Sequence, residues 1–226
     1  MPKYKFKRVT LFAGHYGSGK TNLAVNFALK MRESGLQVKI ADLDIVNPYF
    51  RTKDSAEQLT KAGIELISPA FANTNVDLPA LPQEVYKLVH QRGFNAVLDI
   101  GGDDRGAYAL GRYTPSILEE NDYEMIFVAN FFRPLTRTAE DALVVMREIE
   151  SACKIKFTAI VNNSNLGKDT TAEIVKNTVK IAEQLSKISN LPVIFTSAEK
   201  QVAKDLDIDD VLELTLQEKI FDIKEN

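Results

Sequence analysis

The sequence is poor in cysteine, in long apolar runs and in surplus charge of either sign. Its one cysteine, Cys153, excludes an intrachain disulfide and cannot alone hold zinc or an iron–sulfur cluster. It is read as a small buried apolar residue. No apolar run approaches the ~20 residues of a membrane-spanning helix, and the opening MPKYKFKRV lacks the apolar stretch of a secretory signal. The chain is therefore expected in the cytoplasm, without membrane contact. Its 28 basic and 31 acidic residues leave a net charge of -3, which offers no bulk attraction to nucleic acid or anionic lipid. The basic cluster Lys3, Lys5, Lys7 and Arg8 is read as a solvated lead-in to the first strand. No linker, repeat or low-complexity tract divides the chain, so residues 1–226 read as a single domain.

What is present alternates. Short β-branched runs, RVTLFAG, QVKIADLD, IELIS, FNAVLDIGG, YEMIFVAN, FTAIVNN and PVIFTS, are separated by longer stretches with helical spacing. Several runs are apolar on consecutive residues, as strands covered on both faces require. Ala24, Phe27, Ala28 and Met31 mark one helix face, with Gly35 as its stop. Ala139, Ala142, Leu143 and Met146 mark a second, and Ile174, Ile181, Leu185 and Ile188 a third. The predicted fold is α/β: a doubly wound, mostly parallel sheet of about seven strands with helices on both faces. Ligands are expected at the carboxyl ends of its strands.

The stretch AGHYGSGKTNL marks where. Gly14, Gly19, Lys20 and Thr21 fit G-x-x-x-x-G-K-[ST], a pattern that a random chain of this length shows roughly once in a hundred. A strand precedes it and a helix follows. That context matters because the loop's N–H groups and the helix N-terminus act together on phosphate. Residues Gly14, His15, Tyr16, Gly17, Ser18, Gly19, Lys20, Thr21 and Asn22 are the candidate cradle. Lys20 would neutralise the β- and γ-phosphates, and the Thr21 hydroxyl would ligate a magnesium ion bridging them.

Two later strand ends add carboxylates. ADLDIVNP carries Asp42 and Asp44, which alternate in direction so that only one faces a given spot. VLDIGG ends a strand in Asp99, with Gly102 three residues on. An aspartate there can hold the magnesium shell through water, and a glycine lets backbone approach the γ-phosphate.

The order GHYGSGKT, ADLDIVNP, VLDIGG covers about the first half of the chain and resembles the ParA/MinD-type P-loop ATPases, whose loop reads K-G-G-x-G-K-[ST]. The resemblance implies ATP and Mg2+ as ligands, Asp44 as the residue orienting the attacking water, Asp42 near the magnesium shell, and Asp99 as the Walker B carboxylate. It also implies that adenine is read from the asparagines ending TAIVNNSN, Asn162 or Asn163, whose amides both donate and accept; a turn-forming pair is the alternative. An ATP-dependent homodimer belongs to the same pattern. Here, however, His15 stands where the family's loop lysine reaches across the dimer, and Tyr16 replaces a glycine. Imidazole can replace part of that charge, or simply face solvent. The iron–sulfur relatives, the nitrogenase iron protein and the Mrp-type carriers, need paired cysteines. MinD-type membrane targeting needs a basic tail, whereas residues 199–226 hold nine acidic and four basic residues, net -5.

The leading expectation is an ATPase switch: ATP orders the loops around Asp44 and Gly102, a protein partner reads that state, and hydrolysis to ADP resets it. The alternatives are an ATP-dependent ligase or kinase on a small molecule, as in dethiobiotin synthetase-like enzymes, a GTPase metallochaperone, and a nucleotide sensor without hydrolysis. The metallochaperone reading lacks an N-K-x-D motif, since VNNSN holds that position. Arg133 and Arg137 in FFRPLTRT, like Arg105 and Arg112, are read as solvated, with phosphate or partner contact as the alternative. His90 lies on an amphipathic helix and receives no functional role.

Overall fold

The computed structural model describes residues 4–43, 55–67, 83–102 and 104–216. Eight strands form one sheet: β1 (Val9–Ala13), β2 (Val38–Leu43), β3 (Glu65–Ile67), β4 (Asn95–Ile100), β5 (Tyr123–Ala129), β6 (Ala159–Asn162), β7 (Val193–Glu199) and β8 (Val211–Leu214). Their order is β3-β2-β4-β1-β5-β6-β7-β8, every pairing parallel. The sequence pattern did not mark β8. It ends in Leu212 and Leu214, whose buried side chains cover the outer part of one core, but Glu213 and the aspartates before it mask so short a run.

Helices cover both faces: α1 (Lys20–Glu33), α2 (Ala56–Lys61), α3 (Gln83–His90), α4 (Asp104–Leu110), α5 (Thr114–Glu120), α6 (Ala139–Cys153), α7 (Ala172–Ser189) and α8 (Lys200–Lys204). On one face, Leu23, Ala24, Phe27, Ala28 and Met31 of α1 pack with Phe12, Ile40, Val97 and Ile126. On the other, α3 to α7 pack over Leu11, Leu98, Phe127 and Ile160. Burying strand residues on both faces explains the consecutive apolar runs. Helix α1 stops as its sequence suggests: the Gly35 N–H donates to Arg32 O at 3.0 Å and the Leu36 N–H to Met31 O at 3.3 Å, with Gly35 at φ 87°. Cys153 is buried. Among the described residues no helix is long and apolar enough to cross a membrane.

Two expectations shift. Helix α7 turns its Val175, Thr178, Ala182, Leu185 and Ser189 inward, leaving Ile188 exposed. Thr178 and Ser189 can face the core because their hydroxyls donate to the carbonyls of Val175 and Leu185, at 2.7 and 2.6 Å. Arg8 is not solvated but buried. Its guanidinium donates to Leu88 O at 3.0 Å and Val89 O at 2.8 Å, closing the last turn of α3, and pairs with Glu120 of α5.

The chain order changes direction at β1, which lies between β4 and β5. The carboxyl end of β1 is thus the topological switch point of the sheet, where such folds place ligands.

At the opposite edge, Glu124 of β5 sits in register with Thr10 of β1. Among the described residues, Glu124 Oε2 and Thr10 Oγ1 are both buried without a hydrogen-bond partner. Burial pushes the Glu124 carboxyl from 4.5 up to about 7. The folded state then holds a proton that the unfolded chain releases above pH 4.5. This group's stabilisation is therefore full below its unfolded value and is lost as the pH rises through about 7. Allowing for partial exposure, the effect is on the order of 1–2 kcal/mol. Glu124→Gln should remove this slope. Relative to the variant, the parent's Tm should fall by roughly 3–6 °C between about pH 5 and about pH 8, which thermal unfolding at several pH values will measure.

Candidate functional site

The loop from Gly14 to Gly19 leaves β1 and enters α1 as a tight turn, with the Ser18 N–H donating to His15 O at 3.1 Å. Gly19 precedes the helix at φ 86°, a left-handed conformation costly for any residue with a Cβ, and has no side chain to cap the first turn. The first amides of α1 are thereby left without the usual Ser, Thr or Asp oxygen. Lys20 is buried and curls back over the loop, its Nζ donating to His15 O at 3.3 Å. Thr21 and Asn22 follow in the first turn, both half-buried.

Gly102, at the end of β4, closes this side of the loop. A Cβ there would lie 2.8 Å from Lys20 Nζ, 2.8 Å from Tyr16 N and 2.9 Å from Tyr16 Cα. Glycine is required because the strand end and the loop backbone touch.

Asp42 and Asp99 stand opposite each other in register on β2 and β4, and both are buried. Alternation assigns them to the face of Phe12, Ile40 and Val97, which α1 covers. Two carboxylates on the α1 face, with the Thr21 hydroxyl at that helix's start, make a hard oxygen donor set suited to magnesium. Asp44 lies outside the described residues, as does the side chain of Arg105.

The asparagines at the end of β6 are part of a buried network. Asn162 Nδ2 donates to Thr178 Oγ1 at 2.9 Å, and its Oδ1 accepts from the Ser164 N–H at 3.2 Å. Asn163 Nδ2 donates to the loop carbonyl Ser18 O at 2.6 Å, while its Oδ1 accepts from Ser197 Oγ at 2.6 Å. Both side chains are buried. Each amide commits one of its two N–H donors and one of its two oxygen lone pairs to these bonds. Half-buried Asn165 extends the cluster, its Nδ2 donating to Asn163 O at 2.9 Å.

His15 is half-buried, with Nδ1 donating to Tyr16 O at 2.9 Å, and Tyr16 is exposed. Arg137 and Arg112 are exposed, as read from the sequence. Arg133 is not simply solvated: half-buried, it donates from Nε to Gly17 O at 2.8 Å. Sequence spacing could not reveal this, because 116 positions separate the pair. Asn130 was also missed. It is buried at the end of β5, and its Oδ1 accepts from Phe132 N at 3.1 Å. The apolar run from Met125 to Ala129 ending in an asparagine was the available signal.

No family model matches the sequence, and no curated protein does. Solved structures do resemble it. Cell division protein FtsY from Thermotoga maritima has a TM-score of 0.57 at 17% identity, over 88% of this chain and 63% of that one. Signal recognition particle receptor FtsY from Elizabethkingia anophelis, in complex with GDP, gives 0.54 at 16%, over 86% and 58%. Chloroplast FtsY from Physcomitrella patens gives 0.54 at 18%, over 87% and 60%. This chain has the P-loop NTPase fold. It spans less than two thirds of each of those three chains, and identities this low make the likeness one of fold alone.

Two substitutions probe this geometry. Gly102→Ala should lower the Tm by roughly 3–9 °C, since the added methyl meets the Tyr16 backbone as well as Lys20, which thermal unfolding will measure. Asn163→Ala should cost about 2–4 kcal/mol of stability in urea unfolding, because two buried partners lose their bonds.

Proposed function

We propose that the protein is a magnesium-dependent P-loop ATPase, one domain over residues 1–226, that acts as a nucleotide-controlled switch for a protein partner. The observation that carries this reading is the closed loop around Lys20: a buried ammonium over a turn whose helix entry has no side-chain cap, with Gly102 pressed against it. Such a loop surrounds an anion with backbone N–H groups, and a lysine adds a full charge. The motif order resembles the ParA/MinD-type ATPases, which supports ATP and a switch.

In this reading the N–H groups of Gly17 to Thr21 bind the β-phosphate, and Lys20 bridges the β- and γ-phosphates. The Thr21 hydroxyl, Asp42 and Asp99 would hold magnesium, the carboxylates through water. Bound there, the cation would neutralise charge developing between the β- and γ-phosphates. The backbone at Gly102 borders the γ-phosphate, and Asp44 orients the attacking water. Asn162 and Asn163 form the base side of the site. Adenine suits an amide that donates and accepts, whereas guanine's two adjacent donors suit a carboxylate. A second reading, GTP in place of ATP, is favoured by one observation: a structure of similar fold is described with GDP.

The test is binding and turnover of the purified protein with Mg-ATP, Mg-GTP and a non-hydrolysable ATP analogue, with mass in solution recorded for each. An ATPase switch releases phosphate from ATP and changes partner or self-association with the analogue. A small-molecule ligase or kinase turns over only with a metabolite, a GTPase prefers GTP, and a sensor binds ATP tightly without releasing phosphate. Lys20→Ala should weaken ATP binding about a hundredfold or more with Tm unchanged. Asp44→Ala should keep ATP affinity within about threefold and lose about a hundredfold in turnover. Equal losses of both in Asp44→Ala would make it a magnesium ligand instead.

A further inference from the structure

We propose that Arg133 is a second polyphosphate-binding cation of this loop, acting within the same chain. This rests on the nucleotide-binding reading above and adds a residue that the loop motif does not contain.

The backbone at Arg133 is fixed before any ligand arrives. Asn130 O accepts from Arg133 N at 3.1 Å and from Thr136 Oγ1 at 2.7 Å, and the Phe131 N–H donates to Ser164 Oγ at 3.0 Å. Pro134 follows, holding Arg133 extended at φ -93°, ψ 141°, and a short 3-10 helix at Pro134–Thr136 closes the turn. The side chain then crosses to the phosphate loop and lies against it. A Cβ on Gly17 would sit 3.3 Å from Nε, 3.6 Å from Cζ and 3.7 Å from Cδ. Gly17 itself is at φ 74°, so the loop is bare where the guanidinium rests.

Among the described residues, only one of the five guanidinium N–H donors has a partner, Gly17 O. Among the described residues no carboxylate pairs with Arg133. Other arginines are differently placed: Arg8 pairs with Glu120, Arg147 with Glu150, and Arg32 donates to the carbonyls of Ala62 and Leu36. An anchored guanidinium with both Nη groups open beside an anion-binding turn is preorganised for phosphate, which it can meet with two parallel bonds. It stands on the β5 side of the loop, whereas Gly102 and Lys20 meet on the β4 side. The two cations therefore flank the loop. His15 uses Nδ1 on the neighbouring carbonyl.

The test compares Arg133→Gln and Arg133→Lys with the parent, measuring Kd for Mg-ATP and Mg-ADP over a range of salt concentrations, beside nucleotide-free Tm. Arg133→Gln should bind Mg-ATP about tenfold more weakly, lose more on the triphosphate than on the diphosphate, and show a shallower salt dependence. Arg133→Lys should bind more weakly than the parent but several-fold more tightly than Arg133→Gln, because it keeps the charge and loses the two-pronged contact. Parent-like ATP affinity in Arg133→Gln would overturn the assignment. Equal weakening in both variants would do so too, by making the bond to Gly17, and not the charge, the contribution. If the parent binds no nucleotide while remaining folded, the broader reading fails. If the parent binds and Lys20→Ala does not, that reading stands whichever way Arg133 falls.

Discussion

The bond from Asn163 Nδ2 to Ser18 O, 2.6 Å long across 145 residues, is the contact on which the rest of the site depends. A loop that offers its N–H groups to an anion must turn its carbonyls elsewhere, and a buried carbonyl without a donor is expensive. Asn163 supplies that donor and is itself held by Ser197 of β7. The loop's shape is thereby coupled to strands from the far half of the chain. The same amide forbids a side chain at Gly19, where a Cβ would collide with Asn163 Nδ2.

Around that contact the site is assembled from three directions. Strand β4 brings Asp99 and the close-packed Gly102, while β2 brings Asp42 into register beside Asp99. Strand β5 ends in the Asn130 turn that carries Arg133 to the loop's other side. Helix α1 buries its apolar face on the sheet and so aims its N-terminus at the strand ends. It is also tied at Asn26, whose Oδ1 accepts from Thr215 N at 2.8 Å and whose Nδ2 donates to Thr215 O at 2.9 Å. Helix α1 is thus fixed both by its core face and by the segment after β8.

Much of the fold could be read in advance because local signals agreed. Seven apolar runs became strands, and Gly35 ended α1 through two backbone bonds. The loop between β1 and α1 was legible because glycine and lysine at fixed spacing carry their own geometry. Less legible were residues whose role lies in a distant partner. Arg8 reads as one more charge in a basic lead-in, yet it closes α3 and binds Glu120. Thr178 and Ser189 lie outside the apolar set Ile174, Ile181, Leu185 and Ile188, yet their own helix carbonyls satisfy them, so they turn inward.

The sequence by itself determined the layered α/β architecture, the position of the phosphate-type loop and the identity of the strand-end carboxylates, because each follows from periodicity or spacing within a few residues. Tertiary structure alone decided that Asp42 and Asp99 share a face in register, that Asn162 and Asn163 are held inside the network, and that Arg133 meets Gly17. Those facts depend on strand order. The sheet places β4 and β5 on either side of β1 although 81 residues lie between the end of β1 and the start of β4, and no local pattern specifies which strand ends become neighbours.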